Sequence, residues 1–208
     1  MHARVAANPI PVMTQAELFA EEQGARAGSD WEGDAFCAAV SAAERRAEGI
    51  TFTPAWLVEL MLERAAALEV FDTVVDAGAG SGRFTFAALA RFPHAKVLAI
   101  ERNGLLADLL RRRARREGYA DRVHVIEGDF RCAPLPLTGR TLFIGNPPYV
   151  RHHDIESEWK DWYRNGMAQQ GIGASQLAGL HSHFLLRTVQ VMRPGDAGRP
   201  YSHPTRSA

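Results

Sequence analysis

The residues of this 208-residue chain best suited to handling an amino group lie in one short run, Asn146-Pro147-Pro148-Tyr149. Two prolines fix a rigid turn and leave their carbonyls without a neighbouring amide donor. Asn146 adds a side-chain oxygen, and Tyr149 adds an aromatic face. Two acceptors can hold the hydrogens of an exocyclic NH2 group while its ring stacks on Tyr149. Upstream, VVDAGAGSGRF (74–84) carries an acid, Asp76, and three alternating glycines, Gly78, Gly80 and Gly82. Glycines let the backbone turn sharply and approach a ligand closely. The position where a dinucleotide fingerprint has its third glycine is Arg83, so the spacing is GxGxG rather than GxGxxG. An acid at that strand end suits a cationic or amine-bearing ligand better than a pyrophosphate. Alone, the loop reads equally as a tight strand-to-helix turn.

Two further acids stand at comparable places. Glu101 ends KVLAIE and is placed to accept both hydroxyls of a ribose. Asp129 follows VHVIEG; it can accept an adenine amino group while Phe130 packs on the ring. Acids at three successive strand ends describe a nucleoside site at the carboxyl edge of a sheet.

The elements that must position these groups are readable from pattern. Strands are expected at 72–77, 96–100, 122–127 and 141–145, with helices at 83–91 and 104–117 between them. Short β-branched runs alternating with helices imply an α/β protein whose mainly parallel sheet is covered on both faces. Ahead of them, Thr53 is suited to cap a helix and Pro54 to be its first residue. Trp56, Leu57, Leu60, Met61 and Ala65 recur at helical spacing and predict that helix's buried face. Weaker helices are expected at 15–22 and 34–48, and a last one at 175–192. No element is predicted over HHDIESEWKDWYRNG (152–166), and the tail after 194 is expected to be disordered.

The order Thr53-Pro54, DAGAGSG, Glu101, Asp129-Phe130, NPPY resembles the S-adenosylmethionine-dependent amino-methyltransferases. More narrowly, it is similar to the gamma-class DNA adenine-N6 methyltransferases of restriction-modification systems, over about 50–184. The resemblance implies a Rossmann-like methyltransferase fold, S-adenosyl-L-methionine as cofactor and no metal. It implies double-stranded DNA as partner, with the target adenine flipped out of the helix. Carried over by position, Thr53 would meet the methionine end of the cofactor. Asp76, Gly78, Gly80 and Gly82 would form the glycine loop, Glu101 would hold the ribose, and Asp129 and Phe130 the cofactor adenine. Asn146, Pro147, Pro148 and Tyr149 would clamp the target amine. NPPY is shared with methyltransferases acting on protein glutamine or on RNA, so those stay open, as does a non-catalytic cofactor-binding fragment. The Thr-Pro helix ahead of the glycine loop favours DNA.

The resemblance also implies seven strands and a DNA-reading domain, whereas about four strands are legible here. The expected organisation is a lead-in with a helix over 1–49, the first part of a catalytic domain over 50–194, and a tail over 195–208. TLFIG would then be an exposed apolar edge. A truncated enzyme, or one half of a split enzyme whose second polypeptide supplies the missing strands, is the corresponding expectation.

Composition narrows little. The 24 basic and 24 acidic side chains cancel, but residues 1–50 hold four Arg against eight Asp/Glu, a net of −4 that leaves +4 for the rest. No apolar run approaches the roughly 18–20 residues that span a bilayer, and the first residues lack a signal-type apolar core. The chain therefore reads as cytoplasmic, without a membrane partner. Cys37 and Cys132 make neither a disulfide framework nor a zinc site. RRRARREG (111–118) reads as a solvated helix face. His152 and His153 read as loop residues, and His181 and His183, two apart on a helix, point to different faces.

Overall fold

The computed structural model describes positions 33, 40, 41, 49, 51 and 53–200. The lead-in and the helices expected at 15–22 and 34–48 fall outside these residues but for isolated positions, as do Cys37 and 201–208 entirely. The elements run α1 (Ala55–Ala66), β1 (Thr73–Ala77), α2 (Arg83–Arg91), β2 (Lys96–Glu101), α3 (Gly104–Arg116), β3 (Val123–Glu127) and β4 (Thr141–Gly145). A 3-10 turn (His152–Asp154), α4 (Ser157–Gln169), α5 (Leu180–Val191) and β5 (Ala197–Pro200) follow. The sheet has the order β3-β2-β1-β4-β5, and every pair is parallel.

Successive strand residues point to opposite faces, so the apolar runs feed two cores at once. Val74, Val97, Ala99, Leu142 and Ile144 face one core with Val58, Leu62, Phe84, Leu89 and Leu110 of α1, α2 and α3. Val75, Leu98, Ile100 and Phe143 face the other, with Phe130 and with Leu180 and Phe184 of α5. This is the α/β sandwich of a Rossmann-like sheet, with β1 at its centre and its carboxyl edge free for a ligand.

Three expectations need correction. The sheet has five strands rather than four, and β5 covers the β4 edge that sequence pattern left open. Ala-Gly-Arg-Pro has no apolar alternation, because the strand is held by its main chain and by the turn before it. Asp196 accepts from the Thr141 amide and the Arg193 amide, both at 2.8 Å, while Arg193 donates to the Gly139 carbonyl at 2.6 Å. Burial acts to raise the Asp196 pKa, but these amide and guanidinium donors outweigh it and leave the carboxyl below its ordinary range. Its contribution is therefore present above the ordinary carboxylate range and fades as pH falls. Asp196→Ala should cost about 1–3 kcal/mol at neutral pH, because the buried Thr141 amide loses its acceptor; urea unfolding measures it.

Second, α1 begins after Pro54, and Thr53 makes no capping bond. Its buried face is Val58, Leu62 and Ala65, whereas Trp56 is 66% and Leu60 41% exposed. WLVELML contains two overlapping apolar stripes, and periodicity alone does not choose between them. Third, 157–169 is helical and the last helix starts at Leu180 rather than Ser175. Gly166 permits α4 to lie close on α5: a Cβ there would come within 2.7 Å of Leu186 Cδ2.

The α4–α5 contact encloses His183, which is 0% exposed. Its ring stacks on Tyr163 at 4.7 Å and on Trp162 at 5.9 Å, and neither ring nitrogen has a hydrogen-bond partner. Burial first, then the Arg131 and His152 charges, push its pKa down to about 4. His183→Phe keeps the stacking and removes the unpaired polar atoms. It should raise stability by about 1–3 kcal/mol at neutral pH, and by more towards pH 4, where the unfolded histidine takes up a proton that the folded one refuses.

Candidate active site

The loop from β1 to α2 is tied to β2. The Gly78 and Ala79 amides both donate to the Ile100 carbonyl at 2.9 Å, and the Gly80 amide donates to Glu101 Oε2 at 2.8 Å. Glu101 Oε1 accepts from the Asn103 amide at 2.8 Å. Burial raises the Glu101 pKa, and these backbone donors oppose the rise without cancelling it. Gly82 has φ +89, and a Cβ there would come within 2.5 Å of Leu110 Cδ2 and 2.7 Å of the Phe86 ring. The third glycine thus serves packing of α2 and α3, not the ligand side of the loop. Arg83, in the place of a fingerprint glycine, donates to the Thr53 carbonyl at 2.9 Å and links α2 to the segment before α1.

A cavity of about 520 Å³ opens over this loop at the carboxyl edge of the sheet. Of the expected site residues, Thr53, Gly78, Gly80, Glu101, Asp129, Phe130, Asn146 and Pro148 line it. Asp76, Gly82, Pro147 and Tyr149 do not. Asp76 lies a layer deeper, wholly buried, where Oδ2 accepts from Thr85 Oγ1 at 2.7 Å and Oδ1 has no partner. Burial pushes its pKa up to about 7. It faces the interior of the sheet end rather than the amine-bearing ligand that its position suggested.

Gly145 introduces the proline turn at φ +150, and a Cβ there would meet the Ala77 carbonyl oxygen at 3.0 Å. Only glycine brings β4 this close to β1 at the point where the chain leaves the sheet. Asn146 Nδ2 then donates to the Thr51 carbonyl at 3.2 Å, which settles which end of the amide is which. Its Oδ1 is out of contact with water and has no partner. Pro147 lines a small neighbouring cavity of about 20 Å³. The Tyr149 amide donates to the Gly49 carbonyl at 3.2 Å, and its ring centroid lies 6.0 Å from that of His181.

Sequence reasoning missed two contributors. Leu180 and Phe184 of α5 line the cavity, and Phe184 packs on Phe130 with ring centroids 5.1 Å apart. The apolar spacing of α5 marks a buried face but not which face of the sheet receives it. Arg131 escaped notice as well; it is 6% exposed and bound to Asp129. Two arginines of α3 have local partners across the helix surface: Arg111 pairs with Asp108 and Glu127, and Arg113 pairs with Glu117 while covering the Phe86 ring at 4.0 Å. Among the described residues, no group of three or more His, Cys, Asp and Glu side chains is placed to hold a metal. None of their helices is long and apolar enough to cross a membrane.

The glycine loop and the proline turn that bound this cavity lie in a stretch shared with known proteins. Residues 74–165 match the family model of a methyltransferase domain. The chain is 48% identical over 151 residues to the Type II methyltransferase M.XamI of Xanthomonas campestris pv. amaranthicola, a match spanning 72% of this chain and 29% of that protein. It is 34% identical over 94 residues to the release factor glutamine methyltransferase of Moorella thermoacetica, over 45% of this chain and 32% of that one. Among solved structures, the 23S rRNA methyltransferase ErmE matches with a TM-score of 0.39 and 27% identity, over 48% of this chain and 38% of that one. The chain thus spans about a third or less of the length of these curated relatives. The matched stretch begins on β1 and ends inside α4, so it includes the glycine loop, Glu101, Asp129 and the proline turn.

Proposed function

We propose that this chain is the cofactor-binding and catalytic part of a restriction-modification DNA methyltransferase, acting on the N6 amine of adenine. The observation that carries the reading is Asn146. The residue lines the cavity, its amide nitrogen is committed to Thr51, and its oxygen is buried without a partner. A buried acceptor without a donor costs about 1–3 kcal/mol, so the site is built to receive an N–H group.

The residues also fit S-adenosylmethionine. The cavity has the volume of an ordinary cofactor site, Thr53 Oγ1 is buried there without a partner, and Glu101 and Asp129 line it. When bound, that group supplies a sulfonium methyl for in-line transfer to an amine. In this reading Thr53 holds the amino-acid end, Glu101 the ribose hydroxyls, and Asp129 the adenine amino group above Phe130. Asn146 Oδ1 and the Pro147 carbonyl accept the two hydrogens of the target amine. Those bonds favour a pyramidal nitrogen whose lone pair is no longer spread into the ring. Tyr149 stacks on the extruded base. The catalytic power is positioning and fixed dipoles, with no covalent intermediate on the protein.

Double-stranded DNA is the partner in this proposal, and the cytoplasm the location. A second polypeptide supplies further strands and the surface that reads sequence. The second reading, transfer to a protein glutamine, is favoured by the release factor relatives and by the same amide chemistry of the acceptor. The 48% identity over 72% of the chain favours DNA. Tritiated methyl transfer to duplex DNA, RNA and a release factor, assayed side by side, separates the two. Label in DNA supports the proposal, label in the release factor replaces it, and cofactor binding with no label anywhere marks a non-catalytic fragment.

A further inference from the structure

Asp129 stands on the cavity wall with its carboxylate already engaged. The Arg131 amide donates to Oδ1 at 2.9 Å, and Arg131 Nε donates to Oδ1 at 2.9 Å and to Oδ2 at 3.1 Å. Arg131 Nη2 donates to Oδ2 at 2.5 Å. The arginine is itself buried, and its guanidinium lies 3.8 Å from the Trp159 ring centroid, covered by the first turn of α4. Trp159 is braced by Trp162, ring centroids 5.7 Å apart, and Trp162 packs on His183. α4 therefore clamps the arginine, and the arginine clamps the acid.

A carboxylate oxygen offers two lone pairs. Arg131 engages both oxygens: Oδ1 accepts from the amide and Nε, and Oδ2 accepts from Nη2 and, at a longer 3.1 Å, from the shared Nε. Burial alone would raise the Asp129 pKa; the bonds and charge of Arg131 reverse that and lower it. We infer that Arg131 is the positioning residue that sets cofactor base specificity. It holds Asp129 in one rotamer on the cavity wall, with the carboxylate fixed to meet the exocyclic amine of the cofactor's adenine. The inference rests on the reading of Asp129 as the adenine acceptor. It goes beyond that reading in assigning the selectivity to the Arg131–Trp159 clamp rather than to the acid alone. A planar fork that engages both oxygens is a task a lysine performs poorly.

The test is calorimetric titration with S-adenosylhomocysteine and with its 6-oxo analogue, S-inosylhomocysteine. The wild type should prefer the amino compound at least tenfold, since a 6-oxo group facing a carboxylate lacks the donor the acid needs. Arg131→Met should reduce that preference to threefold or less. Its affinity for S-adenosylhomocysteine should also weaken as pH is lowered from 8 to 5, because burial without the guanidinium raises the Asp129 pKa. The wild type should be flat over that range. Arg131→Lys, which keeps the charge in the site, should fall between, and it carries the same comparison if the methionine variant does not fold. A wild type with no preference overturns the adenine reading of Asp129. A wild-type preference that survives unchanged in the variants overturns the role of Arg131 alone.

Discussion

Asn146→Ala should lower methyl transfer by about a hundredfold to a thousandfold while leaving cofactor affinity within a few-fold of wild type. The side chain stands where the glycine loop and the proline turn meet on the cavity wall, and its oxygen is the unpaired one. A preorganised dipole directed at charge developing on a reacting atom is worth about that much when removed. In the proposed reading the cofactor lies against Thr53, Gly80, Glu101 and Asp129, none of which bonds to Asn146. Single-turnover rates beside calorimetric binding measure the split. A loss shared equally between binding and rate would mean that Asn146 shapes the cofactor site rather than meeting the acceptor. Asn146→Asp is the sharper companion. It keeps the acceptor but replaces the donor that Thr51 holds at 3.2 Å, and brings two oxygens face to face when ionised.

Asp76→Asn should stabilise the fold at pH 8 and have little effect at pH 4. The Asp76 pKa is raised from 3.8 to about 7 by burial, against the bond from Thr85 and with a further push from the Glu101 charge. The unfolded carboxyl releases its proton near pH 4, whereas the folded one holds it to about pH 7. Across that window the native state binds more protons than the unfolded state, so stability falls as pH rises and levels off above 7. The full cost is at most about 4 kcal/mol, at 1.36 kcal/mol for each pKa unit. His183, lowered to about 4, works in the opposite sense: stability rises with pH from about 4 to its ordinary value of 6.5. The wild-type profile in this range is therefore flatter than either group alone would make it. Chemical unfolding of Asp76→Asn and of His183→Phe at intervals from pH 4 to 8 should expose the two slopes separately, rising in the first and falling in the second.

How much of this was legible beforehand follows from what each element depends on. β1, β2, β4, α2 and α3 were readable to within about a residue, because runs such as VVDA and TLFIG have one way to be buried on two faces. β5 was not readable, since Ala-Gly-Arg-Pro is recruited by β4 and by Asp196 rather than by its own pattern. α4 was hidden by its polar and aromatic content. Its Trp159 and Trp162 pack on the apolar clusters but also cover Arg131 and His183, and the polar residues between them leave no clear apolar stripe. In the site, Glu101, Asp129 and Asn146 stand on the cavity as their spacing suggested. Asp76 and Gly82 were assigned to the ligand because they share its motif, yet one lies below the loop and the other packs α2 on α3. A motif records which residues must be conserved in type for a loop to form, and it does not separate those that touch the ligand from those that hold up the loop.

The proposed delivery of a methyl group to the N6 amine of adenine leaves a product that can be identified directly. Its most direct test is mass analysis of nucleosides from DNA incubated with the chain and S-adenosylmethionine. The DNA carries adenine opposite an abasic site, where extruding the base costs least and the surfaces that open a duplex matter least. The account predicts N6-methyladenine, formed with wild-type chain and lost with Asn146→Ala. Saturating cofactor binding with no methylated adenine, alongside methylation of a release factor glutamine by the same preparation, would contradict it.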